Sequence, residues 1–196
     1  MALGGFFFGE FVMAVAHYLD TLLLLMVIAA AVKDLESRRI PNRLLAAGLA
    51  GALVLHLLSA LPLAGLLTWL GGMATGLAVF LPFYLVRGMA AGDVKMMAAV
   101  GAFAGPGDAL RIAILAWCAG GVMALVVIVV KGRLRMVLSN LWAIVRPTLL
   151  RLPRGPMPAI GSAGGQPSAG SIPYGVAIAA GTIALLVSRY ADRPLF

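Results

Sequence analysis

The chain has little charge and almost no cysteine. Only 11% of its 196 residues are charged, and Asp and Glu together number 7. Hydrophobic residues make up 62%, and the mean hydropathy is +1.04. A soluble domain of this length has too little interior to hide so much apolar surface. The one cysteine, Cys118, excludes an intrachain disulfide and any CxxC metal pair. It lies in an apolar run and is expected to be a small packing residue. His17 and His56 have no ligand partner at useful spacing, so both are expected to pack or bond at an interface. No metal and no cofactor is expected. No Ser/His/Asp or Cys/His set offers a nucleophile. The start, Met1-Ala-Leu-Gly-Gly-Phe-Phe-Phe8, has no basic n-region and does not read as a cleaved signal peptide. No repeat recurs at a fixed period.

Long apolar runs, such as Leu22–Val32 and Ala113–Val130, are what the chain does have. A membrane barrel would alternate apolar and polar residues in short segments. The expected fold is therefore all-α, a polytopic integral membrane protein with a single transmembrane domain over 1–196. Six spans are expected, at about 16–33, 43–59, 64–86, 94–104, 109–130 and 172–188. Residues 1–15 are aromatic and are placed near the outer interface. Gly71-Gly-Met-Ala-Thr-Gly76 offers close helix packing. Ser59-Ala-Leu-Pro62 closes the second span, and Gly105-Pro-Gly-Asp108 breaks the chain after the fourth. Residues 133–152 mix Leu, Val, Ile and Trp142 with arginines, as in an interfacial amphipathic helix, with Pro147 as a break. Residues 153–171 are Pro/Gly/Ser-rich and read as a linker.

The net charge of +8 has no soluble basic module to carry it, so no nucleic-acid partner is expected. Twelve of the fifteen Lys and Arg residues fall in the loops after spans one, three and five. By the positive-inside rule these loops face the cytoplasm and an anionic leaflet, and both termini lie outside. Asp34 and Asp93 then share the cytoplasmic side. The fourth span is short: its eleven residues, at about 1.5 Å each, reach roughly 16 Å against a core of about 30 Å. Irregular backbone at such depth survives only under protein or in a wet cavity, which favours a sunken pocket at Asp93.

Carboxylates near the middle of a membrane are costly and call for a reason. Asp93 stands in Gly88-Met-Ala-Ala-Gly-Asp-Val-Lys-Met-Met97, and Asp34 in Lys33-Asp-Leu-Glu-Ser-Arg-Arg-Ile-Pro-Asn42. Two carboxylates at one site can split a peptide bond with water, one ionised to take a proton and one protonated to polarise the carbonyl. By helix-end dipoles alone, Asp34 should hold the shared proton and Asp93 should be charged. Asp20 and Asp108 fall at the opposite side and read as ordinary helix caps or solvated loop residues.

The same residues resemble a known family. Asp34-Leu-Glu-Ser-Arg-Arg-Ile-Pro-Asn42 is similar to the first aspartate motif of the prepilin peptidases. Ala90-Ala-Gly-Asp-Val-Lys95 is similar to their Gly-x-Gly-Asp motif, followed by x-Lys. Ile172-Pro-Tyr-Gly-Val-Ala-Ile178 resembles the start of their last helix. Motif order and the six-span plan match over roughly 16–188. The resemblance implies an aspartic endopeptidase of the bacterial-type inner membrane. It would cleave type IV prepilin-like precursors at the cytoplasmic face, with Asp34 and Asp93 catalytic. The short form resembles enzymes serving Flp-type tight-adherence pili. Gly92, Lys95, Asn42 and Tyr174 become supporting candidates. Lys95 would orient substrate or a headgroup or serve as a positive-inside lysine. Asn42 would support the site or cap span two. Tyr174 would bond near the dyad or anchor span six.

Two departures stand out. Ala90 replaces a motif glycine, so either its φ is negative or Gly88 absorbs the turn. The CxxC-bearing cytosolic insert of long members is missing, so neither zinc nor N-methyltransferase activity is expected. Two other readings compete. A presenilin-type Gly-x-Gly-Asp protease would need its first aspartate within a helix and a Pro-Ala-Leu motif, which is missing. A small transporter or scaffold would use Asp93 as a proton or cation site and would not need Asp34.

Overall fold

A computed structural model describes residues 2–59, 61–132 and 173–191, together with 134, 135, 139 and 142. Among the described residues six continuous helices follow in order: α1 (Ala2–Ser37), α2 (Asn42–Leu57), α3 (Pro62–Leu85), α4 (Ala91–Ala104), α5 (Pro106–Val130) and α6 (Tyr174–Ala191). The described residues contain no strand. Four helical stretches are long and apolar enough to cross a membrane: Phe11–Ser37, Pro62–Leu85, Pro106–Val130 and Tyr174–Ala191. Helix α2 is apolar but shorter, at 16 residues.

Proline and glycine set the boundaries. Helix α1 runs unbroken through the stretch expected to lie at the interface, because glycines weaken a helix without removing a hydrogen-bond donor. Pro41 is the N-cap of α2, and Pro62 opens α3 two residues before the expected start. After α4 the chain turns on Gly105 alone, at φ +80°. Pro106 does not extend the break; its missing N–H is no loss in a first turn, so it begins α5.

The chain forms two compact units, Met1–Ala119 with Pro173–Phe196, and Gly120–Ile172. In the second unit α5 runs on to Val130 and Gly132 turns at φ +64°. The expected amphipathic segment over 133–152 and the linker over 153–171 lie outside the described residues, apart from four isolated positions.

The first unit is built around α4. Val94, Met96, Met97, Val100 and Phe103 are buried against Leu23, Met26 and Val27 of α1, Leu45 of α2, Phe80 of α3, Ile112 of α5 and Ile178 of α6. Its fourteen residues, roughly 21 Å long, are walled by protein, so α4 has no need to match a lipid thickness. The closest packing is with α3. A Cβ at Gly72 would strike the Gly101 carbonyl, and one at Gly76 the Met97 carbonyl. The small-residue stretch 71–76 is therefore a backbone-to-backbone contact, as its spacing suggested.

Candidate active site

Asp34 sits in the last turn of α1. The chain leaves that helix at Arg38, which takes a left-handed conformation at φ +54° and donates its N–H to the Asp34 carbonyl at 3.0 Å. This is the single-bond left-handed helix stop, with an arginine where glycine is cheaper. The side chain turns inward and is 7% exposed. Its Oδ2 accepts a hydrogen bond of 2.9 Å from the Gly175 N–H, in the first turn of α6. A methyl group on Gly175 would lie 2.9 Å from that oxygen and 3.1 Å from the Asp34 Cβ, so only glycine permits this approach.

Asp93 is the third residue of α4, outside the four long apolar stretches, and is also 7% exposed. Its carboxyl reaches back to the backbone of Ala90, the N-cap, which is half of a capping box. Burial, then the charge of Asp34, push the Asp93 carboxyl up to about 6, with the Ala90 bond opposing. The two motif aspartates, 59 positions apart in the chain, thus meet closely enough to act on one another. Two contacts act against the charge order expected from helix ends: Asp34 Oδ2 accepts from an amide at the positive N-terminal end of α6, and burial disfavours the charged form of Asp93.

Ala90 adopts φ −79° and ψ 149°, a conformation open to any residue. The alanine in place of glycine therefore carries no backbone strain. Nor does Gly88 absorb the turn. Arg87 does, at φ +59°, within a paired stop: Gly88 N–H donates to the Phe83 carbonyl at 2.8 Å and Arg87 N–H to the Tyr84 carbonyl at 2.9 Å.

The supporting candidates divide. Lys95 Nζ donates to Asn42 Oδ1 at 3.3 Å, joining α4 to α2 at an exposed rim. Asn42 is not a cap: Pro41 holds that position and no side chain caps α2. Tyr174 bonds to neither aspartate. Its hydroxyl donates weakly to the Ala116 carbonyl at 3.4 Å, and its ring meets Phe80 edge-on. A Cβ on Gly92 would lie 3.8 Å from Ile40, an ordinary contact, so no close approach requires glycine there. His17 Nδ1 pairs with the Met13 carbonyl and His56 Nε2 with the Ala102 carbonyl, both structural contacts. Cys118 is exposed rather than packed, because its face of α5 is not covered. Among the described residues no three His, Cys, Asp or Glu side chains cluster as a metal set.

Two residues were given no role from the sequence. Gly175 stands in the last-helix motif Ile172-Pro-Tyr-Gly, where its contact with Asp34 has no local signal. Arg189 joins Asp20 and Asp108, so those two aspartates are ion-paired rather than lone caps.

Residues 21–125 match the model of the type IV leader peptidase family. The chain belongs to that family. The matched stretch holds both aspartate segments; α6, which supplies the donor to Asp34, lies beyond it. No curated protein and no solved structure matches the chain. Membership in the type IV leader peptidase family indicates a peptidase of prepilin-like substrates, and the long apolar helices indicate a membrane protein.

Proposed function

We propose that this leader peptidase family member is an aspartic endopeptidase that removes the leader from Flp-type prepilins at the cytoplasmic face of a bacterial-type inner membrane. The observation that carries the proposal is the pair of buried carboxyls, Asp34 and Asp93, brought from separate helices to one end of the bundle. Two carboxyls at such a site share a proton, because both cannot ionise cheaply. The Asp34 carboxylate, held by the Gly175 N–H, accepts a proton from water. The water oxygen attacks the scissile carbonyl. Asp93 donates its proton to the carbonyl oxygen as the tetrahedral intermediate forms, and proton return to the amine nitrogen releases the leader. Lys95 and Asn42, which link α4 to α2 at the exposed rim, are the side chains assigned here to substrate contact.

The two ends of the bundle support this sidedness. Asp34, Asp93, Lys95, Arg38 and Arg87 occupy one end, where the basic loops favour an anionic leaflet. Asp20, Asp108 and Arg189 occupy the other. Six spans with both termini outside satisfy this arrangement, with α2 and α4 as the short members.

The test is co-expression with candidate Flp-type prepilins, reading leader loss on a gel, with Asp34→Asn and Asp93→Asn alongside. Each variant should insert, fold and lose at least roughly 100-fold in rate, since neither carboxyl can perform both proton transfers. Near-parental turnover in either variant refutes the dyad. A transporter or scaffold would leave the leader intact even with the parent chain.

A further inference from the structure

Helix α6 lies antiparallel on α1 and is fastened to it at both ends by α1 aspartates. At one end Gly175 N–H donates to Asp34 Oδ2 at 2.9 Å. At the other, Arg189 Nη1 donates to Asp20 Oδ1 at 2.8 Å, and the Tyr190 hydroxyl donates to Asp20 Oδ2 at 3.0 Å. Fourteen residues separate Asp20 from Asp34, and fourteen separate Gly175 from Arg189. At about 1.5 Å per residue both intervals span roughly 21 Å, so the two contacts hold one register. Arg189 also binds Asp108 Oδ2 in the first turn of α5, and Arg111 takes the second oxygen of Asp108 at 3.0 Å. The Arg189 and Asp20 side chains are only 28% and 14% exposed, so water weakens this pair little.

The rest of the α1–α6 contact is less specific. Next to Asp20 it is apolar and loosely filled: Leu24 of α1 and Ile183, Leu186 and Val187 of α6 line a cavity between the two helices. Such a surface tolerates sliding, and a slide of one helical turn, about 5.4 Å, would carry the Gly175 amide out of reach of Asp34. We propose that Arg189, seated between Asp20 and Asp108, is a positioning residue for peptide cleavage: it fixes the register of α6 and so holds the Gly175 N–H on Asp34 at the far end of the same helix. The proposal rests on the dyad reading given above. Arg189 touches no reacting atom and acts through α6.

The experiment uses the full chain in nanodiscs, with Arg189→Gln, Asp20→Asn, the conservative Arg189→Lys, and Arg111→Gln as the exposed control. Two readouts are taken. One is kcat and KM for prepilin cleavage, per folded protein. The other is the infrared carboxylate band of Asp34, isolated by subtracting the Asp34→Asn spectrum in each background. Folded Arg189→Gln should lose roughly 10- to 100-fold in kcat with KM within about twofold, the penalty of a misplaced catalytic group. Its Asp34 band should shift, because the amide donor is gone. Arg189→Lys keeps one cation between the two carboxylates and should restore both readouts. Arg111→Gln should leave both unchanged. An unchanged Asp34 band in folded Arg189→Gln overturns the proposal, whatever the activity. Should Arg189→Gln fail to fold, Asp20→Asn removes the α1 partner of Arg189 and carries the same two readouts, and an unchanged band there is equally fatal. A parent chain that cleaves no prepilin sinks the dyad reading instead, while the band still decides the register.

Discussion

Replacing Gly175 with alanine is the most economical test of how α6 serves the dyad. The added methyl group would lie 2.9 Å from Asp34 Oδ2, 3.1 Å from its Cβ and 3.2 Å from its Cγ. The carboxyl tip can swing away from such a contact, but the Cβ cannot move without α1. The expected response is that the Asp34 carboxyl rotates off the Gly175 N–H and the 2.9 Å bond is lost. A hydrogen bond to a charged group is worth about 1.5–3 kcal/mol. If that bond holds Asp34 in its working position, the loss appears in the barrier. Each ~1.4 kcal/mol is tenfold, so kcat should fall roughly 10- to 150-fold.

Stability should move much less. Alanine favours the helix over glycine by up to about 1 kcal/mol, which offsets part of the crowding. The assay is therefore single-turnover leader cleavage by purified protein, with a thermal melt on the same preparation. Gly107→Ala is the control, since a Cβ there meets nothing within 4 Å. Should Gly175→Ala cleave at the parental rate with its melt unchanged, the contact at Asp34 has no part in catalysis. A large loss of stability together with the rate would instead mean that the glycine serves packing alone.

Two further outcomes are expected. Asp93→Asn should be inactive yet more stable than the parent at neutral pH. The Asp93 carboxyl, pushed up to about 6 from 3.8, binds its proton more tightly folded than unfolded, so it costs stability as pH rises from about 4 to 6. Asparagine removes a penalty of at most about 3 kcal/mol, so the melting difference should grow across that window and flatten above it; equal melts at pH 4 and pH 7 would refute the assignment. Ala90→Gly should keep full activity and lose about 0.4–1 kcal/mol of stability through the freer unfolded chain, read by denaturant titration; an inactive variant would show that the alanine methyl group is needed.

Some of this was legible before any coordinates. Apolar runs located the helices because a long span has few polar residues to confuse it. Proline marked the entrances, although Pro106 opened a helix where a break was expected, since the same ring that interrupts a helix is harmless in its first turn. The glycines of 71–76 announced a close contact but not its partner. Which backbone comes that near, here Gly101 and Met97, depends on how α4 is set against α3. Asn42 illustrates the opposite difficulty. Its type suits a cap, but Pro41 occupies that position, and the side chain is left to Lys95 on another helix.

The charge order of the dyad shows why local reasoning stops where it does. Each aspartate was judged by the helix that bears it, and that rule makes the end of α1 hostile to charge and the start of α4 friendly. Within the fold, Asp34 is answered by a different helix. The first turn of α6 arrives with a free N–H aimed at its Oδ2, from a residue 141 positions away. Asp93 keeps its own helix start, but the bundle closes over it and leaves it facing Asp34. A dipole contribution of about 0.3–1 kcal/mol is easily exceeded by a direct hydrogen bond or by burial. Nothing within ten residues of either aspartate carries that information. It lies in Gly175, which makes the approach sterically open, and in Arg189, fourteen residues further on, which meets Asp20 and sets where α6 stops along α1.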